Sequence, residues 1–227
     1  MPEPTPRYAA YWAPPADSAL WRLGCGWLGR DPETGQDLEL PEARRAITAD
    51  ARRYGFHATL KPPFALADGT TEAGLVAAMA RLARNFTPFL IPCLELTDLD
   101  GFLALCPPDR PQPLHALADA CVAGLEPFRR PADAAEIARR RPERLGAQER
   151  AALVRWGYPH VFETFRAHLT LTARLEAGAR QEVAAELRHF LAPLPAGPVL
   201  VDQIALFKEP APGAPFRLVR RFNLAAG

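Results

Sequence analysis

One short phrase occurs twice in the chain, Phe56-His57-Ala58-Thr59-Leu60 and Ala167-His168-Leu169-Thr170-Leu171, each time inside an apolar, strand-like run. In an extended strand the side chains alternate between faces, so a residue and the one two further along point the same way. His57 and Thr59 are therefore expected to share one face, as are His168 and Thr170. Phe56, Ala58 and Leu60, and in the second copy Ala167, Leu169 and Leu171, then fill the opposite faces. Whatever fold the chain adopts must present two imidazoles, each with a hydroxyl beside it, on two separate strands.

The elements around each copy follow one order. Arg52 to Phe64 reads as the first histidine strand, stopped by Pro62-Pro63. A helix starting at Thr70 or Thr71 follows, then a strand over Phe89 to Leu99 and its partner over Gly101 to Cys106 after an Asp-Gly turn. Phe165 to Leu175 reads as the second histidine strand, with a helix over Ala179 to Leu191 and a hairpin of Val199 to Lys208 with Phe216 to Leu224. Two copies of one unit indicate a duplication rather than a solenoid. The expected fold is α+β: two lobes related by a pseudo-twofold, each a small antiparallel sheet flanked by helices, around a central cleft. All of 1–227 is read as one bilobal domain, with a first repeat over about 52–128, an insert over about 129–157 and a second repeat over about 158–227. The insert is rich in arginine with acids interspersed and reads as solvated helices. The sharper alternative is that its arginines overhang the cleft and bind an anion.

Histidine, with an ordinary pKa near 6.5, both takes and gives protons at neutral pH. Cleaving a phosphodiester needs both acts, on oxygens at opposite sides of phosphorus. One histidine on each wall of a cleft supplies that geometry, and Thr59 and Thr170 can hydrogen-bond the non-bridging oxygens as charge builds. A lone motif of this kind is more often packing; two copies at matched places make the catalytic interpretation the stronger one. Strand alternation also puts Lys61 on the His57 face and Arg166 on the His168 face, as cations for a phosphate. Only two of the 27 basic residues are lysines, Lys61 and Lys208, and Lys208 is a weaker candidate for the same role. Tyr54, beside the first motif, is counted as substrate-binding, although packing is the first role to consider for it and for Tyr11 and Tyr158. No metal is expected, because neither motif brings a carboxylate onto the histidine's face. No cofactor is expected either. His115, His160 and His189 have no partner pattern and are assigned to surfaces or helix ends.

A net charge of +1 on 227 residues excludes a global nucleic-acid or membrane field. Long nucleic acid is disfavoured as a partner, and a small phosphorylated molecule is expected instead. Cys25, Cys93, Cys106 and Cys121 lack CxxC spacing and a clustered histidine, so reduced thiols are expected. No run is long and apolar enough to span a bilayer and no secretory signal pattern opens the chain, so a cytoplasmic monomer is expected.

The twin His57-Ala58-Thr59-Leu60 and His168-Leu169-Thr170-Leu171 resemble the 2H phosphoesterase superfamily, which includes the RNA 2′,3′-cyclic phosphodiesterases long called 2′-5′ RNA ligases. RYAAYWAPP at the start, YGFHATLKPPF and FRAHLTLT are similar to an uncharacterised branch whose genes accompany phosphonate-degradation operons. The resemblance implies metal-independent hydrolysis or transfer at a phosphodiester, with His57 and His168 as the acid/base pair and Thr59 and Thr170 on the phosphate. Ala58 is smaller than the apolar residue often found at its place. The operon association implies a phosphorylated sugar, such as a ribose cyclic phosphate, as substrate. A phosphate-ester or RNA-end binding module without useful catalysis is the alternative.

Overall fold

The structure, a computed structural model, describes residues 5–225. Strand β1 (Arg7–Trp12) is followed by helix α1 (Ala19–Leu28), α2 (Glu42–Tyr54), β2 (Ala58–Ala65), α3 (Glu72–Ala83), β3 (Phe89–Ile91), β4 (Glu95–Leu99), β5 (Phe102–Cys106) and α4 (Gln112–Gly124). The insert holds α5 (Ala134–Arg139) and α6 (Ala147–Trp156), mostly solvated as its composition requires. The chain closes with β6 (Leu169–Thr170), α7 (Ala177–Leu191), β7 (Val199–Val201), β8 (Gln203–Glu209) and β9 (Arg217–Asn223).

Local chemistry accounts for several boundaries. Ser18 caps α1 by accepting the Trp21 N–H, and Thr71 caps α3 by accepting the Gly74 N–H. Asp100 and Gly101 both take positive φ between β4 and β5, the backbone that a two-residue hairpin turn requires. Arg52 to Tyr54 belong to the end of α2 and not, as expected from sequence, to the first histidine strand. Gly55, at φ 85, breaks the helix, and the chain becomes a strand only at Ala58. Pro62-Pro63 do not stop β2. They fall where the β1–β2 register shifts, so their missing N–H groups disturb no regular ladder.

A seven-stranded antiparallel sheet runs in the order β4-β5-β6-β2-β1-β8-β9, and β3 pairs with β7 in a separate two-stranded sheet. The fold is α+β, as expected, and the two histidine strands lie side by side at its middle. Each half of the chain does not keep its own hairpin. The β4–β5 hairpin of the first half joins β6, while β8–β9 of the second half joins β2 through β1. The helices follow: α3 packs on β8 and β9, and α7 on β5. Each side of the sheet is thus assembled from both halves of the chain.

The core contains Tyr11, Trp12, Trp27, Phe56, Phe207 and Phe216, all fully buried. The Trp27 indole N–H donates to the Leu171 carbonyl at 2.9 Å, tying α1 to the second histidine strand. The ring of Phe56 lies against Gly24 of α1, where any Cβ would come within 2.3 Å of it. Among the described residues, no helix is long and apolar enough to cross a membrane. All four cysteines are free, and Cys25, Cys106 and Cys121 are buried.

Candidate active site

Ala58 of β2 pairs with Leu169 of β6. Continuing that antiparallel register by one residue in each direction sets His57 opposite Thr170 and Thr59 opposite His168. Directly opposed residues project to the same side of a sheet, so all four side chains share a face. They line one cleft of about 250 Å³, together with Arg7, Tyr11, Asp50, Tyr54, Pro62, Arg140 and Tyr158.

The two histidines are held in the same way. His57 Nδ1 lies 2.9 Å from the carbonyl oxygen of Gly55, and His168 Nδ1 lies 2.7 Å from that of Arg166. A carbonyl only accepts, so Nδ1 carries the proton in each case, and each neutral ring keeps its lone pair on Nε2. In the first motif the Thr59 hydroxyl, 3.2 Å away, can donate to that Nε2. The Tyr11 ring stacks on His57 with centroids 3.6 Å apart and planes at 19°. Burial pushes the His57 pKa down to about 4, opposed by the Gly55 hydrogen bond and assisted by the charge of His168. His168 is also lowered, first by burial and then by the positive charge of Arg166. Both imidazoles are therefore held towards the neutral form.

The remaining sequence candidates divide. Tyr54 lines the cleft, stacked on Phe216 at 5.0 Å and accepting a hydrogen bond from Arg53 at its hydroxyl. Arg166 stands at the exposed rim, 3.4 Å from Asp100. With His168, Thr59, Phe102 and Tyr158 it lines an adjoining chamber of about 280 Å³.

Lys61 is not in the cleft. It is 1% exposed, and its Nζ donates to the Val122 carbonyl and to Glu126, both at 2.9 Å. The β1 partner of Thr59 is Tyr11 and that of Lys61 is Ala10, so β2 carries an extra residue between them. This bulge reverses the alternation, burying Lys61 and turning Pro62 to the cleft. Lys208 is also elsewhere, bound to Glu72 at 2.7 Å alongside the Tyr8 hydroxyl. His115, assigned to a surface or a helix end, lies in the first turn of α4 but is buried there, with its ring edge-on to Phe165 at 4.9 Å.

Tyr11, Arg7 and Arg140 are cleft residues that strand alternation within the motifs could not reveal. Tyr11 is placed by its register with Thr59, and Arg7 by the same strand. Arg140, just beyond α5, bears out part of the alternative for the insert: one of its arginines does reach the cleft. Among the described residues no group of three or more His, Cys, Asp or Glu side chains is placed to hold a metal ion.

The family model described as "Protein of unknown function (DUF1045)" matches residues 59–217. The chain is 42% identical over 221 residues to a protein of Laribacter hongkongensis (strain HLHK9) named ribose 1,5-bisphosphate phosphokinase PhnN, covering 94% of this chain and 51% of that one. It is 37% identical over 222 residues to the protein of the same name from Janthinobacterium sp. (strain Marseille), covering 92% and 49%. It thus spans about half the length of the curated relatives it matches. Among solved structures, E. coli LigT complexed with NADP+ is similar over 98% of this chain and 99% of that one, at 19% identity and a TM-score of 0.46.

Proposed function

The chain belongs to the DUF1045 family, and we propose that it is a metal-independent phosphodiesterase of the 2H type that opens a small cyclic phosphate ester with two histidines as its acid/base pair. One observation carries the proposal: His57, Thr59, His168 and Thr170 line a single cleft, and both imidazoles are locked through Nδ1 to a backbone carbonyl two residues earlier. Packing alone does not require two rings on neighbouring strands to share that lock.

In this mechanism His57 is the base. Held neutral, its Nε2 takes a proton from the water that attacks phosphorus. His168 enters protonated, favoured by the negative charge of the bound phosphate, and gives its Nε2 proton to the departing ester oxygen. The P–O bond of the ring breaks as the P–O bond to water forms. The net change is addition of one water, and a linear phosphomonoester is released. Thr59 and Thr170 donate to the non-bridging oxygens, a preorganised contribution worth most where charge develops. Tyr11, stacked on His57, restrains the ring against rotation. The cleft of about 250 Å³ suits a nucleotide-sized or smaller substrate. The relatives are named for a phosphorylated pentose, which supports a ribose cyclic phosphate as the first substrate class to try.

The test is turnover of 2′,3′-cyclic AMP and of ribose cyclic phosphates with chelator present. Replacing either histidine by alanine should lower kcat by about 10²–10⁴ while circular dichroism stays unchanged. Full activity in either variant would overturn the mechanism. Binding without turnover by the wild-type protein would establish the phosphate-ester binding module instead.

A further inference from the structure

A second cavity, of about 270 Å³, abuts the catalytic cleft, sharing Arg7, Pro63 and Arg140 with it. Arg129, Arg130 and Arg139 also line it, so five arginines border a space in which Glu136 is the carboxylate. The charge there is not neutralised locally. Glu209 serves both Arg7 and Arg53, at 2.5 and 2.8 Å. Glu126 is shared by Lys61, Arg129 and Arg155. Glu136 stands 4.0 Å from both Arg130 and Arg139, at the limit of an ion pair. Arg140 has no carboxylate within that reach among the described residues, and its nearest aromatic neighbour is the Tyr158 ring at 5.0 Å. Cations outnumber carboxylates at every pairing, which leaves a field suited to a concentrated anion.

Arg129 is fixed in place by Glu126 and by the carbonyls of Arg130 and Arg155. Gly157 ends α6 in a left-handed conformation (φ 74), and a Cβ there would meet Arg129 Nη1 at 3.0 Å. The guanidinium of Arg129 therefore occupies space that a side chain at 157 would fill. Planar, always-charged forks are the groups best matched to phosphate oxygens.

From this arrangement we propose that the insert builds a second anion subsite, taking a phosphomonoester on the same small molecule whose phosphodiester lies between His57 and His168. The substrate class becomes a sugar or nucleoside with two separate phosphoryl groups. The proposal rests on the phosphodiester assignment of the neighbouring cleft. Arg139 and Arg140 are the adjustable members of the subsite, because Arg7 and Arg129 are already committed to close carboxylates.

The experiment compares binding of adenosine 3′,5′-bisphosphate and adenosine 3′-monophosphate by titration calorimetry at fixed ionic strength. In the wild-type protein the bisphosphate should bind at least about tenfold more tightly, as expected for one added charge-assisted phosphate contact. The Arg139→Ala/Arg140→Ala double variant should bring the two ligands to within about twofold of each other. Arg81→Ala/Arg84→Ala, an equal charge change on exposed residues at the C-terminal end of α3, should leave the preference intact. Equal affinities in the wild type, no binding of either ligand, a preference that survives the Arg139/Arg140 change, or equal loss in the control would each overturn the subsite. A preference that behaves as expected in a protein without cyclic phosphate turnover would uphold the subsite and remove the catalytic proposal.

Discussion

Ala58 on β2 pairs with Leu169 on β6, and the residues flanking that pair, His57 and Thr59 on one side and His168 and Thr170 on the other, line one cleft. The Thr59 hydroxyl stands 3.2 Å from His57 Nε2. Thr59→Val and Thr170→Val remove the hydroxyl and keep a β-branched shape suited to the strand. Each should reduce kcat about 10–100-fold, as expected for a lost transition-state hydrogen bond of about 1.5–3 kcal/mol. Steady-state kinetics will check this, and a change confined to KM would count against a role for the hydroxyls in the transition state.

The histidines also set a pH dependence. With its folded-state pKa lowered to about 4 and an ordinary value near 6.5 when unfolded, His57 takes up a proton more readily in the unfolded chain. Its contribution is fully present above pH 6.5 and is lost as pH falls from there towards 4. The downward shift of His168 acts in the same direction. Urea unfolding at pH 7 and pH 5 should show stability falling with acidification, and the fall should be smaller in His57→Gln. The acid limb of kcat/KM should likewise lie well below 6.5.

The buried Lys61–Glu126 ion pair lies beneath β2, outside the residues that line the cleft. Glu126→Gln leaves the Lys61 ammonium buried with neutral acceptors in place of its counter-charge, and a buried charge stripped of its partner typically costs about 3–5 kcal/mol. Lys61→Met should cost less, since Glu126 keeps Arg129 and Arg155. Chemical denaturation should give that order, with KM unchanged in the protein that remains folded. A raised KM in Lys61→Met would return Lys61 to the site.

Gly24 permits the approach of α1 to Phe56, the residue before His57. Gly24→Ala places a methyl where the aromatic ring now lies, and overpacking of this kind typically costs about 1–3 kcal/mol. Thermal unfolding should show the loss. Because Phe56 moves with His57, kcat should fall more than KM changes.

Much of the site could be read before the fold was known. The twin motif, the shared face of each His-x-Thr pair, the Asp100-Gly101 turn and the Thr71 cap all depend on backbone chemistry within a few residues. Alternation failed for Lys61 because it holds only while the strand is regular, and the bulge arises from pairing with β1, some fifty residues away in sequence. Arg166 kept its place near His168 but is exposed and paired with Asp100, at the rim of the cleft.

The chain by itself determined that two histidines, each with a threonine two residues on along the same strand face, would stand on two strands of an α+β fold. That information is local, carried by alternation, by caps and by positive-φ turn residues. Tertiary structure alone decided that β6 would lie against β2, that each hairpin would cross to the other half's strand, that Tyr11 would stack on His57 and that Arg140 would reach the cleft. These outcomes depend on which surfaces are buried together and in what register, and both are set by pairing between distant segments.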